Sequence, residues 1–306
     1  MILIVNLNLA VDHFIEVEDL RAGQVQRSLG ERRQAGGKGV NVARVLKTLG
    51  EPSLLLGFTG GRAGELIAAG LRAEKIASRL SLIEDESRTC LIINDRSRRE
   101  QTVINAPGAR ISEEEFFDFE TSYTRSLQRA DLVVITGSLP PNLHAHTYAQ
   151  LVEAARAGGR RVLLDCAGAS LRTALEARPF LVKINAAEVA ELLAAPVTDF
   201  HSAAQAAGKL CELGAESAMI TLGAQGAVFD AGEASYKFLA PSVAALNSVG
   251  SGDAALAGLA AGLRRGWPPQ KSGALAIAAG AANALHGAGA CSEEEIFELL
   301  PRVGCE

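Results

Sequence analysis

An excess of either charge is missing from this 306-residue chain: 30 Lys and Arg face 35 Asp and Glu, a formal net charge of -5. That balance points to no polyanionic partner, so neither a nucleic acid nor a membrane surface is expected. Long hydrophobic runs are also missing. Gly, Arg or Glu interrupts each apolar stretch well before a membrane-spanning length, and the opening "MILIVNLNLAVDHF" lacks a basic region and runs straight into a strand pattern. The expectation is a cytoplasmic, unprocessed protein. Cysteine is scarce: Cys90, Cys166, Cys211, Cys291 and Cys305 are an odd number without C-x-x-C spacing, which excludes a disulfide framework and a zinc site. Of the five histidines, His144 and His146 open a predicted helix with no Cys or acidic partner at ligand spacing, which leaves them a surface role.

What is present is an ordinary globular composition, 48% hydrophobic and 21% charged, at a length that allows a substantial core. Short β-rich runs such as "ILIVN" (2–6), "DLVVIT" (131–136), "FLVKIN" (180–185) and "SAMITLG" (217–223) alternate with helical patterns. Helices are predicted near 37–49, 63–74, 112–129, 144–158, 201–213, 252–265 and 270–287. Strands that read as continuous apolar runs are buried on both faces, so the pattern predicts a doubly wound, mainly parallel α/β sheet flanked by helices. Residues 13–34 and 87–105 instead alternate polar and apolar residues around turn signals. They suit half-exposed antiparallel strands in a small separate sheet, whose apolar face needs covering by a ligand or a second subunit. No linker or repeat divides the chain, so residues 1–306 are read as one domain.

In open α/β sheets, ligands bind beyond the carboxyl ends of the strands, and three polar clusters occupy such positions. "AGGKGVNVARVL" sets Gly36, Gly37, Lys38 and Gly39 at a helix start, where free amides and the helix dipole favour an anion. Its alternative is a structural turn, since the Walker spacing is absent. "NSVGSGDAALAG" offers the amides of Gly250, Ser251 and Gly252 as an anion hole, with Asp253 in the first turn. A helix cap would explain Asp253 alone. It would not require three small residues in front, whereas a carboxylate taking a hydroxyl proton beside a phosphate needs that room. "KINAAEV" puts Asn185 and Glu188 three residues apart, suited to a hydrated Mg²⁺ or, equally, to a capping box. "TGSLPPN" carries Ser138 on a strand-ending turn, and "ITLGAQGAVF" reads as strand, glycine turn, strand.

In this order the segments resemble the phosphofructokinase B type of sugar kinases in the ribokinase superfamily, nearly end to end. The strand leading to Asp12 is followed by "GGKGVNVARVLKTLG", "GFTGG", "SRT", "TGSLPP", "LDCAGASL", "KINAAE", "ITLGAQGA" and "VGSGD". The resemblance implies a ribokinase-like fold, ATP as phosphoryl donor with Mg²⁺, and a sugar phosphate as acceptor. It implies Asp253 as base, with Gly250, Ser251 and Gly252 as the anion hole. Asp12, Gly37 and Asn41 would hold sugar hydroxyls, and Lys38, Arg88 and Ser138 the phosphate already on the sugar. Asn185 and Glu188 would organise Mg²⁺ through water, while Thr221, Gly223, Gly226 and Asn283 would lie along the nucleotide. The two irregular segments would form a β-lid that closes over the sugar and clasps a homodimer.

Lys38 resembles both the fructose 1-phosphate and the tagatose 6-phosphate kinase branches; "TVINAPG" leans toward the first, and "LDCAGASL" and "LNSVGSGD" equally resemble tagatose 6-phosphate kinases. A 6-phosphofructokinase is a further alternative, and a non-catalytic sugar-phosphate sensor a remote one. Ile184 replaces the family's usual proline in K-P-N-x-x-E, and Val103 stands where an acidic residue is common. A nicotinamide-dependent oxidoreductase would need G-x-G-x-x-G after the first strand; "NLNLAVD" stands there instead.

Overall fold

Ile2 and Ile4 face one side of the first strand and Leu3 and Val5 the other, and all four are fully buried. A strand covered on both faces must lie inside a sheet with helices on each side. In the computed structural model, which describes residues 1–98 and 100–306, this strand, β1 (Ile2–Val5), is followed by β2 (Ala10–Val17), β3 (Gly30–Gly36) and α1 (Lys38–Thr48). Next come β4 (Ser53–Thr59), α2 (Gly61–Ala73), β5 (Ser78–Leu82), β6 (Arg88–Asp95), β7 (Glu100–Ile104) and α3 (Glu113–Leu127). The middle of the chain runs β8 (Leu132–Thr136), α4 (Thr147–Ala157), β9 (Arg161–Asp165), α5 (Gly168–Glu176), β10 (Leu181–Asn185), α6 (Ala186–Leu193) and α7 (Phe200–Glu212). It ends with β11 (Ala218–Thr221), β12 (Gly226–Asp230), β13 (Ser235–Leu239), α8 (Ser251–Arg264), α9 (Pro269–Ala284), α10 (Glu293–Leu299) and β14 (Gly304–Cys305).

Ten strands form one sheet in the order β14-β13-β12-β11-β10-β9-β8-β1-β4-β5. From β11 to β5 every pairing is parallel, while β12, β13 and β14 add antiparallel strands at one edge. One core lies between the sheet and α1, α2, α8, α9 and α10, and the other between the sheet and α3 to α7. The seven predicted helices form. Three shorter ones, α5, α6 and α10, are added, each too brief for its periodicity to stand out. Ser112, Asn185, Asp199 and Ser292 each close a capping box at a helix start.

The small separate sheet expected from 13–34 and 87–105 is present, in the order β3-β2-β6-β7. Its outer pairs, β2 with β3 and β6 with β7, are antiparallel, and its central pair, β2 with β6, is parallel. Both β2 and β6 follow parallel strands of the large sheet, β1 and β5, so they enter the small sheet in the same direction. Arg99, between β6 and β7, lies outside the described residues.

Candidate active site

The carboxyl ends of β8, β10 and β11 and the starts of α1 and α8 converge on a cleft of about 910 Å³, with the small sheet as one wall. Most sequence-predicted residues line it: Asp12, Gly37, Lys38, Asn41, Arg88, Ser138, Asn185, Glu188, Thr221 and Gly223, with Gly250 to Asp253 at the helix start. Gly226 lines an adjoining cavity of about 380 Å³ instead. Asn283 lines neither. It is fully buried, its Nδ2 donates to the Val249 carbonyl at 3.0 Å and to Ser251 Oγ at 3.1 Å, and its Oδ1 accepts from the Gly289 amide at 2.7 Å. It braces the turn that leads into α8 rather than facing a ligand.

That turn needs its glycines for two reasons. Gly250, the residue before α8, has φ of +82°, a left-handed conformation that glycine takes without steric cost. A Cβ on Gly252 would sit 2.8 Å from Lys183 Nζ, so a buried ammonium lies directly behind the second glycine. Asp253 follows, 6% exposed, and its Oδ2 accepts from Asn41 Nδ2 at 2.9 Å. Burial pushes its carboxyl up to about 6, raised further by Asp165 and opposed by Lys38, Lys183 and the Asn41 bond. A carboxylate held there is ionised at neutral pH and close enough to it to accept a proton.

Beside Asp253 lies a charge cluster whose full membership the sequence did not reveal. Asp165, at the end of β9, is fully buried and accepts from Lys38 Nζ and from Lys183 Nζ, each at 2.8 Å. Burial pushes Asp165 up, but the two ammonium groups outweigh it and hold the carboxyl at about 2. Burial pulls Lys38 down, yet Asp165, Asp253 and Glu188 outweigh that and hold it above the ordinary lysine range. The resemblance groups Lys38 with Arg88 and Ser138. Its Nζ instead lies with Asp165 and 3.7 Å from Glu188 Oε1, while Arg88 and Ser138 meet around Asn8. Arg88 donates to the Asn8 and Ala106 carbonyls at 2.8 and 3.0 Å, and Ser138 Oγ accepts from Asn8 Nδ2 at 3.1 Å.

Asp12 faces the same cleft from β2. Burial pushes its carboxyl up to about 6 against the pull of Arg44, Arg88 and Arg32. The adjoining cavity is lined by Gly223, Ala224, Pro241, Val243, Ile277, Gly280 and Ala281. These small and apolar side chains leave a slot suited to a flat aromatic group, and it shares Thr221, Gly223, Ser248, Ser251 and Gly252 with the main cleft. Asn185 and Glu188 form the capping box that the spacing allowed: Asn185 Oδ1 accepts from the Glu188 amide at 2.9 Å and Glu188 Oε2 from the Asn185 amide at 3.4 Å. Among the described residues no three His, Cys, Asp or Glu side chains are gathered to hold a metal directly. Glu188 Oε1, outside the capping bond and in the cleft, fits a Mg²⁺ held through its waters.

Lys183, Asp165 and Asn8 are the site residues that sequence reasoning did not single out. Their signal was positional, because each sits at or near the carboxyl end of a β-strand, in segments quoted for other residues.

The chain is similar to known proteins over nearly its whole length. A 1-phosphofructokinase of Bacillus subtilis (strain 168) is 36% identical over 304 residues, covering 99% of this chain and 98% of that protein. The tetrameric inhibited form of phosphofructokinase-2 from Escherichia coli superposes with a TM-score of 0.91 at 27% identity, covering 98% of both chains. Arabidopsis thaliana ribokinase complexed with ribose and ATP shares the fold, with a TM-score of 0.79 at 20% identity over 98% of both chains. The fold is therefore ribokinase-like, and with residues 1–295 matching the description "pfkB family carbohydrate kinase", the chain belongs to the pfkB family of sugar kinases.

Proposed function

We propose that this kinase transfers the γ-phosphoryl group of ATP to fructose 1-phosphate, giving fructose 1,6-bisphosphate. The observation that carries the reading is Asp253, buried at the start of α8 behind the small residues Gly250, Ser251 and Gly252, of which the Ser251 amide donates to the Ser248 carbonyl at 3.1 Å, and beside the Lys38 and Lys183 ammonium groups. The whole-length likeness to a 1-phosphofructokinase supports the choice of sugar.

In this reading Asp253 takes the proton of the attacking hydroxyl, within a reach of about 3 Å in the closed complex. The amides of Gly250 and Gly252 face the charge that develops on the transferring group, with Lys183 behind Gly252, while the Ser251 amide, expected in the same anion hole, is taken by the Ser248 carbonyl. Lys38 adds a second cation at that end, as its closeness to Asp165 and Glu188 supports. Asp12, Gly37 and Asn41 orient sugar hydroxyls, and Arg88 and Ser138, paired around Asn8, take the phosphate already on the sugar. Thr221, Gly223 and Gly226 border the slot for the adenine nucleotide. Mg²⁺, when bound, neutralises phosphate charge; Asn185 and Glu188 would hold it through water. Transfer is then mostly positioning and electrostatic stabilisation.

We further read residues 1–306 as one catalytic unit whose small sheet is a lid and a dimer contact. Phe14, Ile92 and Val103 share the face turned to the cleft, and Leu91 and Ile104 share the other in register. Ile104 is 52% exposed, an apolar surface that a second copy would cover. Sedimentation of Ile104→Lys checks this: a shift to monomer supports the contact, and an unchanged assembly removes it.

An ADP-release assay with ATP and Mg²⁺ tests the main reading across fructose 1-phosphate, tagatose 6-phosphate, fructose 6-phosphate and unphosphorylated sugars. Preference for fructose 1-phosphate supports it. Preference for another acceptor reassigns the branch, and binding without turnover leaves a sensor.

A further inference from the structure

Arg44, in the middle of α1 and 11% exposed, uses all five of its N–H donors. Nε and one Nη2 hydrogen grip the two Glu74 carboxylate oxygens at 2.7 Å each, the other Nη2 hydrogen reaches the Ala35 carbonyl at 2.7 Å, and Nη1 donates to Asn41 Oδ1 and the Ala288 carbonyl at 3.2 Å each. A guanidinium has no acceptor. The atom of the Asn41 amide that faces Arg44 must therefore be its oxygen, which turns Nδ2 toward Asp253 Oδ2, 2.9 Å away. With the amide reversed, a carbonyl oxygen would face the carboxylate and the base would lose its donor.

We propose that Arg44 is a positioning residue for phosphoryl transfer: held by Glu74, it locks the Asn41 amide in the orientation that steadies Asp253. The inference rests on Asp253 as the base. Lysine at position 44 would keep the charge but lose the planar fork, so it would not replace arginine.

A double-mutant cycle on kcat, measured with both substrates saturating, tests this. Arg44→Met and Asn41→Ala each lower kcat by about tenfold, equivalent to about 1.4 kcal/mol of barrier, and Arg44→Lys does not rescue. If Arg44 acts through Asn41, the double variant is no slower than Asn41→Ala. Read in an Asp12→Asn background, because Arg44 also holds the Asp12 carboxyl down, the acid limb of kcat moves to higher pH in Arg44→Met, since a carboxylate that loses a donor holds its proton more tightly. Lys38, Lys183 and Asp165, the charged groups that also face Asp253, are untouched in every variant. Lys47→Ala, which removes a bond to the Glu74 backbone carbonyl, leaves kcat and the limb unchanged. Should Arg44→Met fail to fold, Glu74→Gln at a partly exposed position carries the test, with a smaller change in the same direction.

Losses that multiply in the double variant, or a kcat and acid limb untouched in the folded Arg44→Met or in Glu74→Gln, would overturn the proposal. Asp253→Asn keeps the two failures apart. If that variant still turns over, the base reading has failed; if it is inactive while the cycle is multiplicative, only the role of Arg44 has.

Discussion

Lys38 Nζ lies 2.8 Å from Asp165 Oδ1, across 127 residues of sequence. The bond ties the glycine turn at the start of α1 to the end of β9, and Asp165 gives its other oxygen to Lys183. The two oxygens of one fully buried carboxylate thus hold two cations at the edge of the cleft, and its single negative charge offsets only one of them.

Asp165→Asn is expected to cost about 3 to 5 kcal/mol, because it leaves the buried Lys183 ammonium without its charge partner. Urea unfolding at pH 7 measures the loss. Since the folded carboxyl is held at about 2, below its ordinary value of 3.8, the stability it contributes is complete above about pH 4 and lost as pH falls toward 2. The variant should lack that part of the acid dependence.

Asp253→Asn should fold, bind both substrates and lose about 10²- to 10⁴-fold in kcat, the range for removing a positioned base. Its stability should not fall. A buried acid raised to about 6 disfavours the folded state increasingly as pH rises from about 4 to 6, and the neutral amide removes that cost. ADP release and a melting curve at pH 7 check both halves.

The acid limb of kcat/KM should report two carboxylates rather than one. Burial pushes both Asp12 and Asp253 up to about 6, and each is assigned an ionised role, so activity should fall below about pH 6 more steeply than one protonation allows. Asp12→Asn should reduce the limb's steepness and raise KM for the sugar phosphate; an unchanged KM would remove Asp12 from sugar binding.

Gly252→Ala should lower kcat more than it lowers stability. The added methyl would meet Lys183 Nζ at 2.8 Å, and that ammonium is pinned by Asp165. Either the anion-hole turn or the lysine must move, and transition-state donors tolerate little displacement. Comparing kcat with the melting temperature separates the two effects.

The alternation of apolar runs and amphipathic helices determined the doubly wound core by itself, because burial on both faces leaves a continuous apolar strand no other place. The glycine turns and Asp253 were equally legible, since small residues before a helix serve local backbone chemistry. Tertiary structure alone decided what joins distant segments. Asp165 at the end of β9 and Lys183 on β10 carry no local pattern that marks them as a charge pair, and Asn283 looks like a cleft residue until folding buries it under the α8 turn. Arg44 and Asn41 share one face of α1 in any reading of the helix, but only folding brings Glu74 and Asp253 to opposite ends of that pair. Hydrogen bonds across hundreds of residues, and carboxyls displaced by burial, depend on distances that exist only once the chain has closed.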